Sequence, residues 1–145
     1  MAHRIGTFLG IALLLAGCAK STQRTYDARL TGSAALEIRV LEDDTTVKSK
    51  VVKDRLLWSA NAITAVQEQD GWVIVECHMN PSSGILVAWN LETDTVYVSP
   101  GYTWTLVGDT FTTIHRVHFV PPDSQVGIDR EATFINGVEQ IDSDS

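Results

Sequence analysis

Hydrophobic and polar residues alternate along most of the chain from Ala34 onward, with the two-residue period of half-buried β-strands. Leu36, Ile38 and Val40 share one face of the first such segment, while charged residues occupy the positions between them. Turn-forming residues interrupt the alternation about every eight to twelve residues, as in folds built from short strands. The pattern therefore predicts an all-β fold, either an antiparallel β-sandwich or a small barrel.

The first two strands are predicted to form a hairpin around an acidic turn at residues 42–44. In the second of these strands, Val47 and Val51 alternate with Lys48 and Lys50. We predict that the outer face of this hairpin is charged, because lysine is rarely buried without a partner.

One segment fits more than one structure. Asp54 can cap a helix, but Ile63 and its neighbours include the β-branched side chains that strands favour. We predict a short helix or loop over residues 56–61 and then a strand from about Ala62. The strand ends at Asp70-Gly71, a strong signal for a hairpin turn.

The central strands are the clearest part of the pattern. Their predicted buried faces contain Val73, Val75, Cys77 and Met79 in one strand and Ile85, Val87, Trp89 and Leu91 in the next. Cys77 is therefore predicted to be a buried apolar thiol rather than a nucleophile. The longest strand is predicted at residues 110–120, ended by Pro121-Pro122, and a last tight turn is predicted at Asn136-Gly137.

The first eighteen residues have a different pattern. Thirteen residues from Ile5 to Gly17 are apolar or small apart from Thr7, and they follow the basic Arg4 and precede Cys18. This is the layout of a secretory signal, and the stretch is shorter than the roughly 20 apolar residues of a membrane-spanning helix. The last four residues, Leu15-Ala16-Gly17-Cys18, resemble the lipobox of bacterial lipoproteins.

The resemblance to lipoproteins implies how the chain is processed and where it lies. It implies diacylation of Cys18, a palmitate-type membrane anchor, and signal cleavage between Gly17 and Cys18. Ala19 stands where an aspartate retains such proteins in the inner membrane, which implies an outer-membrane anchor facing the periplasm. The predicted organisation is a signal peptide (1–17), a lipidated cysteine with a flexible tether (18–33), one β domain (34–141) and an acidic tail (142–145).

Charge and cysteine content narrow the range of partners and of stabilising bonds that the chain can have. Residues 19–55 contain eight Lys or Arg and six Asp or Glu, whereas residues 56–145 contain only two Lys or Arg and twelve Asp or Glu. Such an acidic surface repels nucleic acid and anionic lipid head groups, so we predict no nucleic-acid partner. Cys18 and Cys77 are the only cysteines, and lipidation of Cys18 leaves no intramolecular disulfide.

The sequence contains no motif that points to catalysis or metal binding. His115 and His118 are three residues apart on a predicted strand, which places them on opposite faces rather than in one metal site. The chain has no Gly-x-Ser-x-Gly elbow and no phosphate-binding glycine loop. We therefore predict no metal, no cofactor and no enzymatic activity.

Aromatic residues provide the candidate binding surface. Trp89 and Trp104 are in phase with aliphatic neighbours and are predicted to lie in the core. Trp72 and Tyr97 are out of phase, and with Tyr102 they form a predicted surface that can stack on sugar rings or contact a protein. The function predicted is a non-catalytic binding or scaffolding component of an envelope assembly. A glycan- or peptidoglycan-binding module and a small envelope hydrolase are the alternatives.

Overall fold

The computed structural model describes residues 21–80 and 83–141, and that part of the chain is built almost entirely of β-strands. The strands are β1 (Arg24–Thr31), β2 (Ala35–Glu42), β3 (Thr45–Lys53), β4 (Ala62–Gln69), β5 (Trp72–Asn80), β6 (Ser83–Asn90), β7 (Val96–Pro100), β8 (Thr103–Val107), β9 (Thr110–Phe119), β10 (Ile128–Ile135) and β11 (Val138–Gln140). A 3-10 helix (Arg55–Ser59) connects β3 to β4. The all-β prediction is confirmed.

Three predicted features lie outside the described residues: the signal peptide, the lipidated Cys18 and the acidic tail. The connection between β5 and β6 also lies partly outside them, with β5 reaching Asn80 and β6 starting at Ser83. Over residues 21–80 and 83–141, no helix is long and apolar enough to span a membrane.

The strands form three antiparallel sheets, and each hydrogen-bonded pair joins strands that are consecutive in the chain. The N-terminal sheet contains β1–β3, the central sheet β4–β7 and the C-terminal sheet β8–β11. Tight turns make this arrangement possible, because antiparallel neighbours need only a short connection. Asp70-Gly71 and Asn136-Gly137 have positive φ at both residues, which confirms the two predicted hairpin turns.

The central sheet is buried on both faces. One core lies between it and the N-terminal sheet and includes Leu36, Ile38, Val40, Val73, Val75, Cys77, Val87 and Trp89. A second core lies between it and the C-terminal sheet and includes Trp72, Ile74, Leu86, Ala88, Leu106 and Phe111. The middle strands are therefore almost continuously apolar, as strands covered on both sides must be. The sandwich has three layers.

The prediction of a flexible tether is wrong from residue 24 onward. β1 pairs with β2 along its whole length, and its alternate residues Tyr26, Ala28 and Leu30 pack against the first core. The positions between them are polar, and Asp27 of this strand pairs with Arg39 of β2 on the outer face. Those polar residues gave the segment the composition of a linker, although its period is that of a strand.

The prediction that the lysines of β3 lie on the outer face of the hairpin is also wrong. The pairing of β2 with β3 contains a bulge, which places Lys48 opposite Val40 and Lys50 opposite Ile38. Both lysines therefore lie on the side that faces the central sheet, while Val51 is exposed on the outer side. A change of register by one residue exchanges the two faces of a strand, and the bulge supplies that change here.

The ambiguous segment folds as predicted. Asp54 caps the 3-10 helix, and its carboxylate accepts a hydrogen bond from the Leu56 backbone N–H at 2.9 Å. Leu57 is buried in the first core and anchors the helix there. β4 then begins at Ala62, the position expected for the following strand.

Cys77 is the buried free thiol that the alternation predicts. It lies in the first core among aliphatic side chains, and burial raises the pKa of the thiol to about 11. The thiolate is the reactive form, so the folded protein contains very little of it at neutral pH.

We expect a thiol reagent to label Cys77 slowly in the native protein at neutral pH and rapidly after denaturation, as measured by peptide mass spectrometry. Because the folded-state pKa lies above the ordinary value of 9.0, the thiol contributes stability below pH 9 that is lost as the pH rises toward 11. Cys77→Ala removes this pH dependence and lowers the free energy of unfolding at neutral pH by roughly 1 kcal/mol. Rapid native labelling would contradict the buried position.

Candidate functional site

The β9–β10 hairpin extends beyond the end of the central sheet. At one end of β9, Phe111 is fully buried and Thr113 Oγ1 lies 2.6 Å from Ser99 Oγ of β7. Val117 and Phe119 lie on the same face of this strand as Thr113, because their positions differ from that of Thr113 by even numbers. They are nevertheless 39% and 53% exposed. The face that forms the second core at one end of the hairpin is uncovered at the other end.

The paired strand continues this uncovered face. β10 places Ile128 opposite Phe119 and Arg130 opposite Val117, and directly opposed residues point to the same side of a sheet. Ile128 is 55% exposed. These residues line an open groove of about 470 Å³ together with Ala132 and Glu139. We call the face formed by Val117, Phe119, Ile128 and Arg130 the overhang.

The opposite face of the same hairpin is charged. Arg116 pairs with Glu131 at 3.2 Å, and His118 Nδ1 lies 2.9 Å from a carboxylate oxygen of Asp129. All four side chains are well exposed to solvent. At this end the hairpin thus has one charged face and one face that is apolar apart from Arg130, close to the pattern of a strand pair buried on one side. Among the described residues, no element covers the apolar side.

One backbone edge of the overhang is also unpaired. β11 pairs with β10 only at Thr133, Phe134 and Ile135. Residues 128–132 of β10 therefore have a strand on one side only, within the part of the chain that is described. An unpaired strand edge presents N–H and C=O groups that can bind a further strand.

The overhang and the N-terminus of the described domain lie at opposite ends of the molecule. The turn at Asp43 hydrogen-bonds to Gln23 beside the start of β1, and Lys50 of the same sheet pairs with Asp94 at one end of the central sheet. At the other end of that sheet, Ser83 shares a shallow depression with the segment 115–118 of β9. β5 runs between these ends, and a strand of nine residues spans about 30 Å.

Trp58 is a surface residue that the sequence pattern did not single out. It lies in the 3-10 helix, where Leu57 is buried and Trp58 is 77% exposed beside Arg55. The helix ends next to β5, because the Asn61 N–H donates to the His78 carbonyl at 2.9 Å. Trp58 therefore lies at the same end of the molecule as the overhang. A helix this short is predicted only by its position and its capping residue, and its sequence has no period that indicates which side chains are exposed.

The predicted aromatic surface is wrong at Trp72 and is not assembled at the other two residues. Trp72 is only 2% exposed, because the C-terminal sheet covers that face of β5. Tyr97 stacks on Trp72 with ring centroids 5.6 Å apart, and Tyr102 packs edge-on against His78. The Tyr102 hydroxyl is itself buried. The core position predicted for Trp89 is confirmed.

The two histidines of β9 lie on opposite faces, as their spacing predicts. His115 faces the second core and packs against Phe134, whereas His118 faces solvent beside Asp129. Within residues 21–80 and 83–141, no group of three or more His, Cys, Asp or Glu is arranged to hold a metal ion.

No protein-family model, curated protein or solved structure matches this chain. Similarity therefore assigns it neither a family nor an activity. The exposed surface is the remaining guide to function, and among the described residues the overhang is the most distinctive feature of that surface. Large apolar areas that remain uncovered on soluble domains commonly mark sites of protein or membrane contact.

Proposed function

We propose that this protein is a lipid-anchored component of the bacterial outer membrane that faces the periplasm and docks a protein partner through the overhang. The observation that carries the proposal is the apolar inner face of β9 and β10, which continues a core face but has no covering layer among the described residues. Burial of apolar area is the main favourable contribution to association between proteins. The chain acts in this proposal as a non-catalytic binding or scaffolding component.

The side chains of the overhang favour a protein over a glycan. Val117 and Ile128 are aliphatic, and the groove presents few hydrogen-bonding groups to a sugar. The alternative of glycan binding also requires Trp72 and Tyr97 to stack on sugar rings, but in the structure these two rings stack on each other. Apolar aliphatic and aromatic side chains are suited to packing against the side chains of another polypeptide.

The position of the overhang suits an anchored docking protein. β1 begins at Arg24, so only residues 18–23 separate the proposed lipid from the folded domain. Six extended residues reach at most about 20 Å, which keeps the N-terminal end of the domain near the bilayer. The overhang lies at the far end of the domain and would face the periplasm, where a soluble or membrane-bound partner can reach it.

Two variants test the two halves of this proposal in cells. We expect a photo-crosslinking amino acid at position 128 to give a defined adduct with one envelope protein in the membrane fraction. Phe119→Asp should abolish the adduct but leave the protein in the membrane fraction, because it places a charge in the apolar contact. Cys18→Ser should remove palmitate labelling and release the protein from the membrane.

The control is the same crosslinker at Val47, which is exposed to a similar degree near the opposite end of the domain. It should not give the adduct formed from position 128. Labelling of Cys18→Ser with palmitate would contradict the anchor. An adduct from position 128 that persists in Phe119→Asp would contradict docking through the overhang.

A further inference from the structure

We infer that the partner completes the C-terminal sheet by strand addition, with an extended segment of alternating basic and apolar residues that pairs with residues 128–132 of β10. This inference rests on the proposed docking function and names the chemistry of the docked segment. It follows from the unpaired edge of β10 and from the charges on its two faces.

Within the part of the chain that the structure describes, the edge of β10 has room for a strand. β11 stops at Gln140, opposite Thr133, and the space beyond it is an open notch of about 420 Å³. The notch is lined by Arg130, Glu131, Ala132 and Thr133 on one side and by Glu139, Gln140 and Ile141 on the other. A segment placed there would continue the line of β11 and would pair its backbone with the free groups of β10.

The two faces of β10 specify what such a segment contains. On the outer face, Asp129 and Glu131 stay well exposed although they pair with His118 and Arg116 of β9, so basic residues of the added segment could approach them from the other side. On the inner face, the segment would lie beside Ile128 and Arg130 in the uncovered groove, where apolar side chains are favoured and Arg130 disfavours a basic one. The surrounding half of the chain is strongly acidic, which also attracts a basic segment before it docks.

A second copy of the chain is a poor occupant of this edge. Antiparallel pairing of two β10 strands about an axis at Arg130 would place Asp129 of each copy opposite Glu131 of the other. Moving the axis to either acidic residue would place two identical carboxylates opposite each other. Like charges at directly opposed positions are destabilising, so each of these pairings is disfavoured.

The last four residues of the chain are a poor occupant for the same reason. If they continued β11 in its present register, Asp142 would lie opposite Glu131 and Asp144 opposite Asp129. Both pairs bring carboxylates together on the outer face. A basic segment from another protein has neither of these penalties.

The test uses two labelled peptides and the full-length chain, expressed in a bacterial host and reconstituted in phosphatidylcholine nanodiscs. One peptide alternates lysine with valine, and the other alternates glutamate with valine. We expect the lysine peptide to bind at least about tenfold more tightly by fluorescence anisotropy, because two opposed pairs change from attraction to repulsion. It should also slow amide hydrogen exchange over residues 128–132.

A charge-reversed variant provides the sharpest comparison. Asp129→Lys with Glu131→Lys should reverse the preference, so that the glutamate peptide binds more tightly. The matched control is Glu92→Lys with Asp109→Lys, which makes the same change in net charge at exposed turns away from β10. The control should retain the preference for the lysine peptide.

Three results would overturn the inference. They are equal binding of the two peptides, no protection over residues 128–132, or an unchanged preference in the charge-reversed variant. If these occur while the adduct from position 128 forms as described, docking through the overhang stands and strand addition is wrong. A dimer by light scattering that is lost in Phe119→Asp would instead identify the occupant as a second copy.

Discussion

Ile74→Asp and Val75→Asp should both strongly destabilise this protein, although the two residues are adjacent and point in opposite directions. Both side chains are fully buried, Val75 in the first core and Ile74 in the second. A carboxylate buried without a partner must be neutralised or costs several kcal/mol. Native domains of this size are stable by about 5–15 kcal/mol, so either substitution removes much of the free energy of unfolding.

Urea denaturation followed by circular dichroism measures this effect. Ile114→Asp is the matched control, because Ile114 lies on the solvent-facing side of β9. We expect it to change the free energy of unfolding by less than about 1 kcal/mol. If either Ile74→Asp or Val75→Asp were as stable as this control, the corresponding face of the central sheet would not be covered.

Trp89→Ala should lower the free energy of unfolding by about 3–5 kcal/mol, the usual cost of removing a buried aromatic ring. Trp89 is fully buried, and its Nε1–H donates to a carboxylate oxygen of Asp94 at 2.8 Å. The Lys48 ammonium lies 5.4 Å from the centroid of the ring, and Lys50 pairs with the same aspartate at 2.8 Å. The ring therefore links the apolar side chains of the first core to the two lysines on the inner side of β3.

Trp89→Phe separates the volume of the ring from its hydrogen bond. In the wild type, hydrogen bonds from Lys50 and Trp89 lower the pKa of Asp94 below its ordinary value of 3.8. The carboxylate thus contributes stability above pH 3.8 that is lost as the pH falls through the lower folded-state value. Trp89→Phe should be less destabilised than Trp89→Ala and should lose less stability on acidification than the wild type does. An unchanged response to acid would contradict the role of the Nε1–H bond.

Most strands could be predicted from sequence because their determinants are local. The alternation of Leu36, Ile38 and Val40 specifies a buried face without reference to any partner. Asp70-Gly71 specifies a tight turn for a similarly local reason, since its residues tolerate positive φ. β1 was not predicted from sequence because its polar residues outnumber Tyr26, Ala28 and Leu30, although the two-residue period of a strand is present.

The faces of strands were less predictable than the strands themselves. The alternation in β3 separates valines from lysines, but a bulge in its pairing with β2 decides which set faces the central sheet. The burial of Trp72 likewise depends on a third layer, which the alternation within β5 does not reveal. An irregularity in the β2–β3 pairing sets the first result, and packing between two sheets that are distant in the sequence sets the second.

The sequence by itself determined an all-β domain, its principal turns, the burial of Cys77 and Trp89, and the lipoprotein-like start that motivates the proposed anchor. Only the tertiary structure decided that the central sheet is covered on both faces and that, within residues 21–80 and 83–141, the C-terminal sheet is not. Val117, Phe119 and Ile128 have the apolar character of core residues in sequence, and their alternation continues that of Phe111 and Thr113. Their exposure arises because the central sheet ends before the β9–β10 hairpin does, and the relative lengths and positions of packed sheets are set by contacts between residues far apart in the chain.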